Sequence, residues 1–136
     1  MAACLNVPVD VIEPAGFVLS DRNFRRAGMD YLGQCDLTRH ADWASFSAAR
    51  AGRLILLTTR AQQNFTQFAF RPDDTLILGR ESVGAPDHIH NAADARLLIP
   101  LAPGLRSLNV AIAAAMVLSE GLRQTGGFRH PSTGSR

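Results

Sequence analysis

The chain has 136 residues, of which 46% are hydrophobic and 19% charged, with a formal charge of +2 at pH 7. That size and balance predict one globular domain and exclude a disordered chain, and the small net charge excludes wholesale electrostatic binding to nucleic acid. No apolar run nears the length of a membrane span and no basic stretch precedes an apolar segment, so the reading is a cytoplasmic protein without membrane or secretory elements.

In chain order, residues 9–13 (VDVIE) predict a strand, stopped by Pro14 and Gly16. A short helix follows from a cap at Ser20 or Asp21 to about Ala27, with Gly28 ending it. Arg22, Arg25 and Arg26 share one face of that helix at i, i+3, i+4 spacing. They form either a solvated surface or a patch that contacts phosphate. All 14 basic residues are arginine, and guanidinium pairs with phosphate in bidentate fashion. Residues 34–37 predict a short strand, and 41–50 a helix with Trp43, Phe46 and Ala49 as its core stripe.

Residues 53–59 (RLILLTT) form the clearest buried strand. A polar stretch at 60–67 follows, then 68–70, to which the pattern assigns no structure. The turn Pro72-Asp73-Asp74 leads into an apolar run, Leu76-Ile77-Leu78. Gly79 and Gly84 punctuate the loop after it, with Glu81 between them. Such a loop is either a plain strand-to-helix turn or a ligand site at the carboxyl end of a parallel strand. The acid suits a cationic or neutral ligand better than a phosphate.

Residues 85–93 predict a short helix begun near Pro86 or Asp87. His88 and His90 on it do not make a metal pair, because i and i+2 point apart on a helix. Cys4 and Cys35 make no metal pattern or disulfide framework either. Residues 96–101 (RLLIPL) read as another buried strand, with Pro100 at its end or edge. Ser107 is the predicted cap of a long helix at 108–124, ended by Gly126-Gly127. That helix is apolar almost all round and rich in alanine, which predicts burial against a sheet or a second subunit. Strands alternating with helices give an α/β fold with a mainly parallel sheet flanked by helices.

Three stretches in this order resemble the SpoU class of RNA 2'-O-ribose methyltransferases, in the SPOUT superfamily: 76–86 (LILGRESVGAP), 98–101 (LIPL) and 107–111 (SLNVA). Gly79, Glu81 and Gly84 match the second family motif. Ile99, Pro100, Ser107, Leu108, Asn109 and Val110 match the third, and Ala111 stands where many members have serine. The segments 11–17 (VIEPAGF), 24–31 (FRRAGMDY) and 57–60 (LTTR) are similar to the short, single-domain branch that methylates the wobble nucleotide of tRNA. The likeness covers about residues 9–127.

The resemblance implies a C-terminal trefoil knot and S-adenosylmethionine held by the main chain of three loops. Carried across, the cofactor residues are Leu57, Gly79, Ile99, Ser107 and Leu108, with Glu81 and Asn109 ordering the site. It further implies a homodimer joined partly through the last helix, a tRNA substrate contacted by Arg22, Arg25 and Arg26, and no metal. The expected activity is tRNA (cytidine/uridine) 2'-O-methylation at the wobble position. The alternatives are a ribosomal RNA substrate, or a truncated remnant that binds cofactor or RNA without turnover. Neither the tRNA species nor a preference between cytidine and uridine can be read from the residues.

One departure stands out. The family begins with a strand and a helix bearing Asn-x-Gly-x-x-x-Arg, and no such pattern occurs here. The expectation is a domain at 1–127 that lacks this segment, with a flexible tail at 128–136. The family's proposed catalytic arginine belongs to the absent segment, so no catalytic residue is assigned. Either the start codon was set too far downstream, which is the favoured reading, or the chain is a natural remnant.

Overall fold

The computed structural model describes residues 1–13, 36–79, 84–105 and 108–128, and the chain divides into two units, residues 1–50 and 51–136. In the first unit, a one-turn helix α1 (Ala2–Leu5) precedes strand β1 (Val9–Ile12). β1 pairs in parallel with β2 (Leu37–His40), in the register Val9 to Leu37. Helix α2 (Trp43–Ala49) follows, capped by Asp42, whose carboxylate accepts from the Ser45 N–H at 2.8 Å.

The strand expected at 34–37 runs instead from Leu37 to His40, and Gln34 and Cys35 lie outside the described residues. Its residues are mostly polar, so an apolar count does not find it. Cross-strand pairs hold it in place: Arg39 on Glu13 at 2.8 Å, and His40 Nε2 against Asp10 Oδ1 at 2.7 Å. Phe46 alone of the α2 stripe is buried; Ala49 is exposed. Phe46 meets the edge of the His40 ring and tilts against Trp43. The arginine helix expected at 20–27 lies outside the described residues.

In the second unit, four parallel strands form one sheet in the order β4-β6-β3-β5. They are β3 (Leu54–Leu57), β4 (Gln63–Asn64), β5 (Thr75–Leu78) and β6 (Ala95–Leu98). β3 lies between two neighbours and is buried on both faces, which is why it reads as an unbroken apolar run. β4 is a two-residue polar edge strand inside the stretch at 60–67, continued by a 3₁₀ turn (Phe65–Gln67). β6 ends at Leu98, so Pro100 falls past the ladder, where its missing N–H costs nothing.

Among the described residues this unit also has two α-helices, α3 (Asp87–Ala92) and α4 (Val110–Thr125). The core joins Ile55, Phe65, Leu97 and Val117, with Leu57, Phe68, Phe70, Leu76, Ala95 and Ile99 packed on it. α4 enters this core through Ala113, Ala114 and Val117, whereas Ile112 and Met116 face outward at 56% and 40% exposure. It stops at Gly126, whose φ of 68° is the left-handed conformation that suits glycine, and the Gly127 N–H closes on the Leu122 carbonyl at 2.9 Å.

The α4 cap differs from expectation. Asn109 caps the helix: its side-chain oxygen accepts from the N–H groups of Ala111 at 2.9 Å and Ile112 at 3.3 Å. The helix therefore starts at Val110 rather than Leu108, and Ser107 lies outside the described residues. Gln124, near the other end, holds the segment before β5: it accepts from the Phe70 N–H and donates to the Phe68 carbonyl, each at 2.8 Å. Arg53 and Asp74 fasten the amino end of the sheet through two hydrogen bonds at 2.8 and 2.7 Å. No described helix is long and apolar enough to cross a membrane.

Candidate functional site

Parallel pairing brings the carboxyl ends of three strands to one end of the sheet. Leu57 closes β3 opposite Leu78 of β5 and Leu97 of β6. The Thr58 N–H continues the ladder onto the Leu97 carbonyl at 2.9 Å. Gly79 is one residue beyond this line and Ile99 two. Three of the residues expected to hold a cofactor, Leu57, Gly79 and Ile99, thus leave the sheet at one level. In open α/β sheets this end is where ligands meet exposed main chain.

The loop after β5 explains why Gly79 is glycine. A Cβ there would stand 2.9 Å from the Gly84 Cα and closer still to the Gly84 carbonyl carbon and the Ala85 nitrogen. Residues 84 and 85 come so close to Gly79 that no side chain fits there. Gly84 differs: its φ is +70°, and a Cβ would meet nothing within 4 Å. The two glycines serve separate needs, close approach at one and left-handed backbone at the other.

The walls at this end are apolar and half open. Leu57 and Ile99 pack against the core while keeping part of their surface outside. Leu78 and Leu108 are 38% and 37% exposed. Leu108 directly precedes Asn109, whose two hydrogen bonds fix the start of α4 and with it the end of the loop after β6. Apolar walls with main-chain groups between them fit an adenosine moiety, which offers a flat apolar face and hydrogen-bonding edges.

Charge gathers beside this end. Arg60 Nη1 contacts Asp87 Oδ1 at 3.0 Å, tying the loop after β3 to the head of α3. Arg96 donates from Nε to the His90 carbonyl at 2.8 Å. His90 is buried, and burial pushes its imidazole below the ordinary value; the nearby Arg60 and Arg96 guanidinium groups push the same way, and Asp87 opposes them. His88, two residues earlier, is exposed, so the two imidazoles do diverge. Among the described residues no group of three His, Cys, Asp or Glu could hold a metal ion.

Glu81, Ser107, Arg22, Arg25 and Arg26 all lie outside the described residues. Sequence reasoning named Asp87 only as a possible helix start and Arg60 only as the last residue of the 57–60 segment, and did not pair them. They are 27 residues apart, and no spacing rule joins them. The available signal was position: each follows closely on the end of a strand or the glycine of a loop that the motifs had marked.

The chain is similar to known proteins over most of its length. The family model described as SpoU rRNA Methylase family matches residues 1–119. A tRNA (cytidine(34)-2'-O)-methyltransferase of Beijerinckia indica is 58% identical over 129 residues, which is 93% of this chain and 81% of that protein. A solved structure concerned with 2-OH methylation of C/U34 on tRNA superposes with a TM-score of 0.85 at 35% identity, covering 90% of this chain and 82% of its own. The fold recurs in the SpoU methyltransferase AviRb of Streptomyces viridochromogenes, solved in complex with the cofactor AdoMet. It has a TM-score of 0.74 and 23% identity, over 90% of this chain and 52% of that one.

Proposed function

The chain belongs to the SpoU methylase family, and from that premise we propose that it is a tRNA 2'-O-ribose methyltransferase acting on the wobble nucleotide, cytidine or uridine 34, with S-adenosylmethionine as methyl donor. The observation that carries this reading is the level at which Leu57, Gly79 and Ile99 leave the sheet, in a chain 58% identical to a relative of that name. The knotted topology implied by the motif resemblance belongs to the same proposal.

S-adenosylmethionine, when bound, supplies an electrophilic methyl group on a sulfonium. The residues that would hold it are Leu57, Gly79, Ile99 and Leu108, together with Ser107, through main chain and apolar wall. Asn109 orders the loop that carries Leu108, and Glu81 is assigned a similar ordering role. Their shared contribution is placement: a ribose hydroxyl loses its proton as its oxygen attacks the methyl in line and S-adenosylhomocysteine leaves, and holding that geometry lowers the barrier; no residue is assigned as the base that takes the proton. The Arg22, Arg25 and Arg26 face remains the proposed RNA patch.

The assay is incubation of the protein with methyl-labelled cofactor and bulk tRNA, followed by digestion. The expected product is 2'-O-methylated nucleotide 34. Label on a base, or in ribosomal RNA alone, overturns the assignment. Ribosomal RNA belongs in the same assay because the family description names it.

We assign the second copy of a homodimer to the outward stripe of α4, where Ile112 and Met116 stand one turn apart beyond Leu108. A Met116→Asp variant is expected to elute as a monomer in size exclusion with light scattering. An unchanged dimer would move the interface elsewhere.

A further inference from the structure

We propose that Arg60 takes a backbone phosphate of the RNA substrate at the rim of the cofactor loops, and that Asp87 holds its guanidinium in place until the phosphate displaces it. This rests on the RNA-methyltransferase reading above and adds a substrate-binding residue to it.

The backbone under Arg60 is fixed. The Thr58 N–H is bonded to the Leu97 carbonyl at 2.9 Å, the Arg60 N–H to Thr58 Oγ1 at 3.2 Å, and the Ala61 N–H to the Thr58 carbonyl at 3.4 Å. Ala61 itself is buried. Arg60 thus projects from the tip of a pinned turn, three residues past the proposed cofactor residue Leu57. Its position is built into the sheet end; only its side chain is free to exchange partners.

The partner it has is a weak one. Arg60 and Asp87 are 60% and 84% exposed and share one contact of 3.0 Å. Arg53 and Arg123, by contrast, each grip a single carboxylate through two hydrogen bonds. An exposed, single-contact pair adds little to stability and is readily given up. The remaining guanidinium N–H groups of Arg60 make no hydrogen bond among the described residues, so a phosphate can be met in the two-point geometry that Asp87 does not use. Arg96 bears on the same buried His90 as Arg60 does, which adds positive potential beside the exchange point. Asp87 is the acid that masks it when no RNA is bound.

The sign of the Asp87 effect tests the idea. Kd for bulk tRNA is measured on the full chain at several salt concentrations, alongside Kd for S-adenosylhomocysteine. For Arg60→Ala, tRNA affinity is expected to fall about tenfold and the slope of log affinity against log salt to become shallower by roughly 0.7, with the cofactor product bound as before. For Asp87→Asn, tRNA affinity is expected to rise about threefold, a gain that vanishes when Arg60 is already alanine. Arg60→Lys should keep the salt slope and lose part of the affinity.

Wild-type protein that binds no tRNA overturns the RNA reading and this inference with it. Wild-type binding with an unchanged Arg60→Ala slope overturns this inference alone. So does a result in which both single variants weaken S-adenosylhomocysteine equally, since that is the behaviour of a loop latch rather than a phosphate contact. Circular dichroism and a thermal melt on each variant exclude unfolding as the cause of a loss.

Discussion

Replacing Gly79 with alanine tests the geometry of the site most directly. The added Cβ would lie 2.9 Å from the Gly84 Cα, with two further backbone atoms nearer. Ordinary carbon contacts lie at about 3.5–4.0 Å, so the backbone at 84–85 must retreat by about 1 Å. The obstructing atoms are main chain, which cannot rotate aside as a side chain would. Overpacking of this kind costs about 1–3 kcal/mol, and at about 4 °C per kcal/mol for a chain of this size the melting temperature should fall by about 4–12 °C. The larger effect is expected on activity: a displacement of about 1 Å at a positioning element costs on the order of a hundredfold. Gly84→Ala is the control. Its Cβ meets nothing, and only the +70° φ is strained, at about 1–2 kcal/mol. Methyl transfer and thermal melts on both variants separate the two. If Gly79→Ala melts and turns over like wild type, the loop does not fold back on Gly79 and the account of the site fails.

Three further perturbations address what holds the site in place. Asp74→Asn breaks the two-point grip on Arg53 and weakens the acceptor for the Arg71 N–H, and should cost about 2–3 kcal/mol in urea unfolding at pH 7. Burial raises the Asp74 carboxyl, but the Arg53 guanidinium and the Arg71 N–H outweigh it and hold it below the usual value. Its stabilisation is therefore present above about pH 4 and is lost as pH falls through the lower folded value, so the variant should show a flatter acid limb than wild type. Gln124→Ala removes the partners of the Phe70 N–H and the Phe68 carbonyl and should cost about 1–3 kcal/mol, with faster hydrogen exchange at Phe70. Asn109→Ala removes the α4 cap and should cost about 1 kcal/mol, while loosening the loop at Leu108 enough to weaken S-adenosylhomocysteine in calorimetry; unchanged affinity would separate the cap from the site.

The fold was legible where burial dictates residue type. β3 is apolar because strands on both sides and the core enclose it, β5 and β6 are apolar where they meet the core, and each was found within a few residues of its ends. β4 was not, because a two-residue edge strand such as Gln63-Asn64 needs no apolar face. β2 was misplaced toward its apolar end, since charge pairs with Asp10 and Glu13 define it. The cap of α4 was placed at Ser107, whereas Asn109 caps it; both residue types suit a cap, and the side-chain hydrogen bonds to Ala111 and Ile112 identify Asn109. For the candidate site, Leu57, Gly79 and Ile99 were carried across from the motif resemblance, and parallel pairing places all three at one end of the sheet. The Arg60–Asp87 contact was not legible, because it is made across the sheet end by residues with no shared period.

That difference reflects two chemistries at one end of a sheet. The ligand assigned to the loops carries no phosphate, and the described residues proposed to meet it are main chain, leucine and isoleucine. The substrate assigned to the rim is a polyanion, and the guanidinium that faces it is kept neutralised by an exposed acid. Arg60 stands three residues beyond Leu57, outside the proposed cofactor residues, at the rim of the sheet end. A chain with a net charge of only +2 can bind RNA in this way through local arginines, the proposed Arg22, Arg25 and Arg26 face among them. Its binding would then rest on a few exchangeable contacts, and a shallow salt dependence is the expected signature of the whole protein.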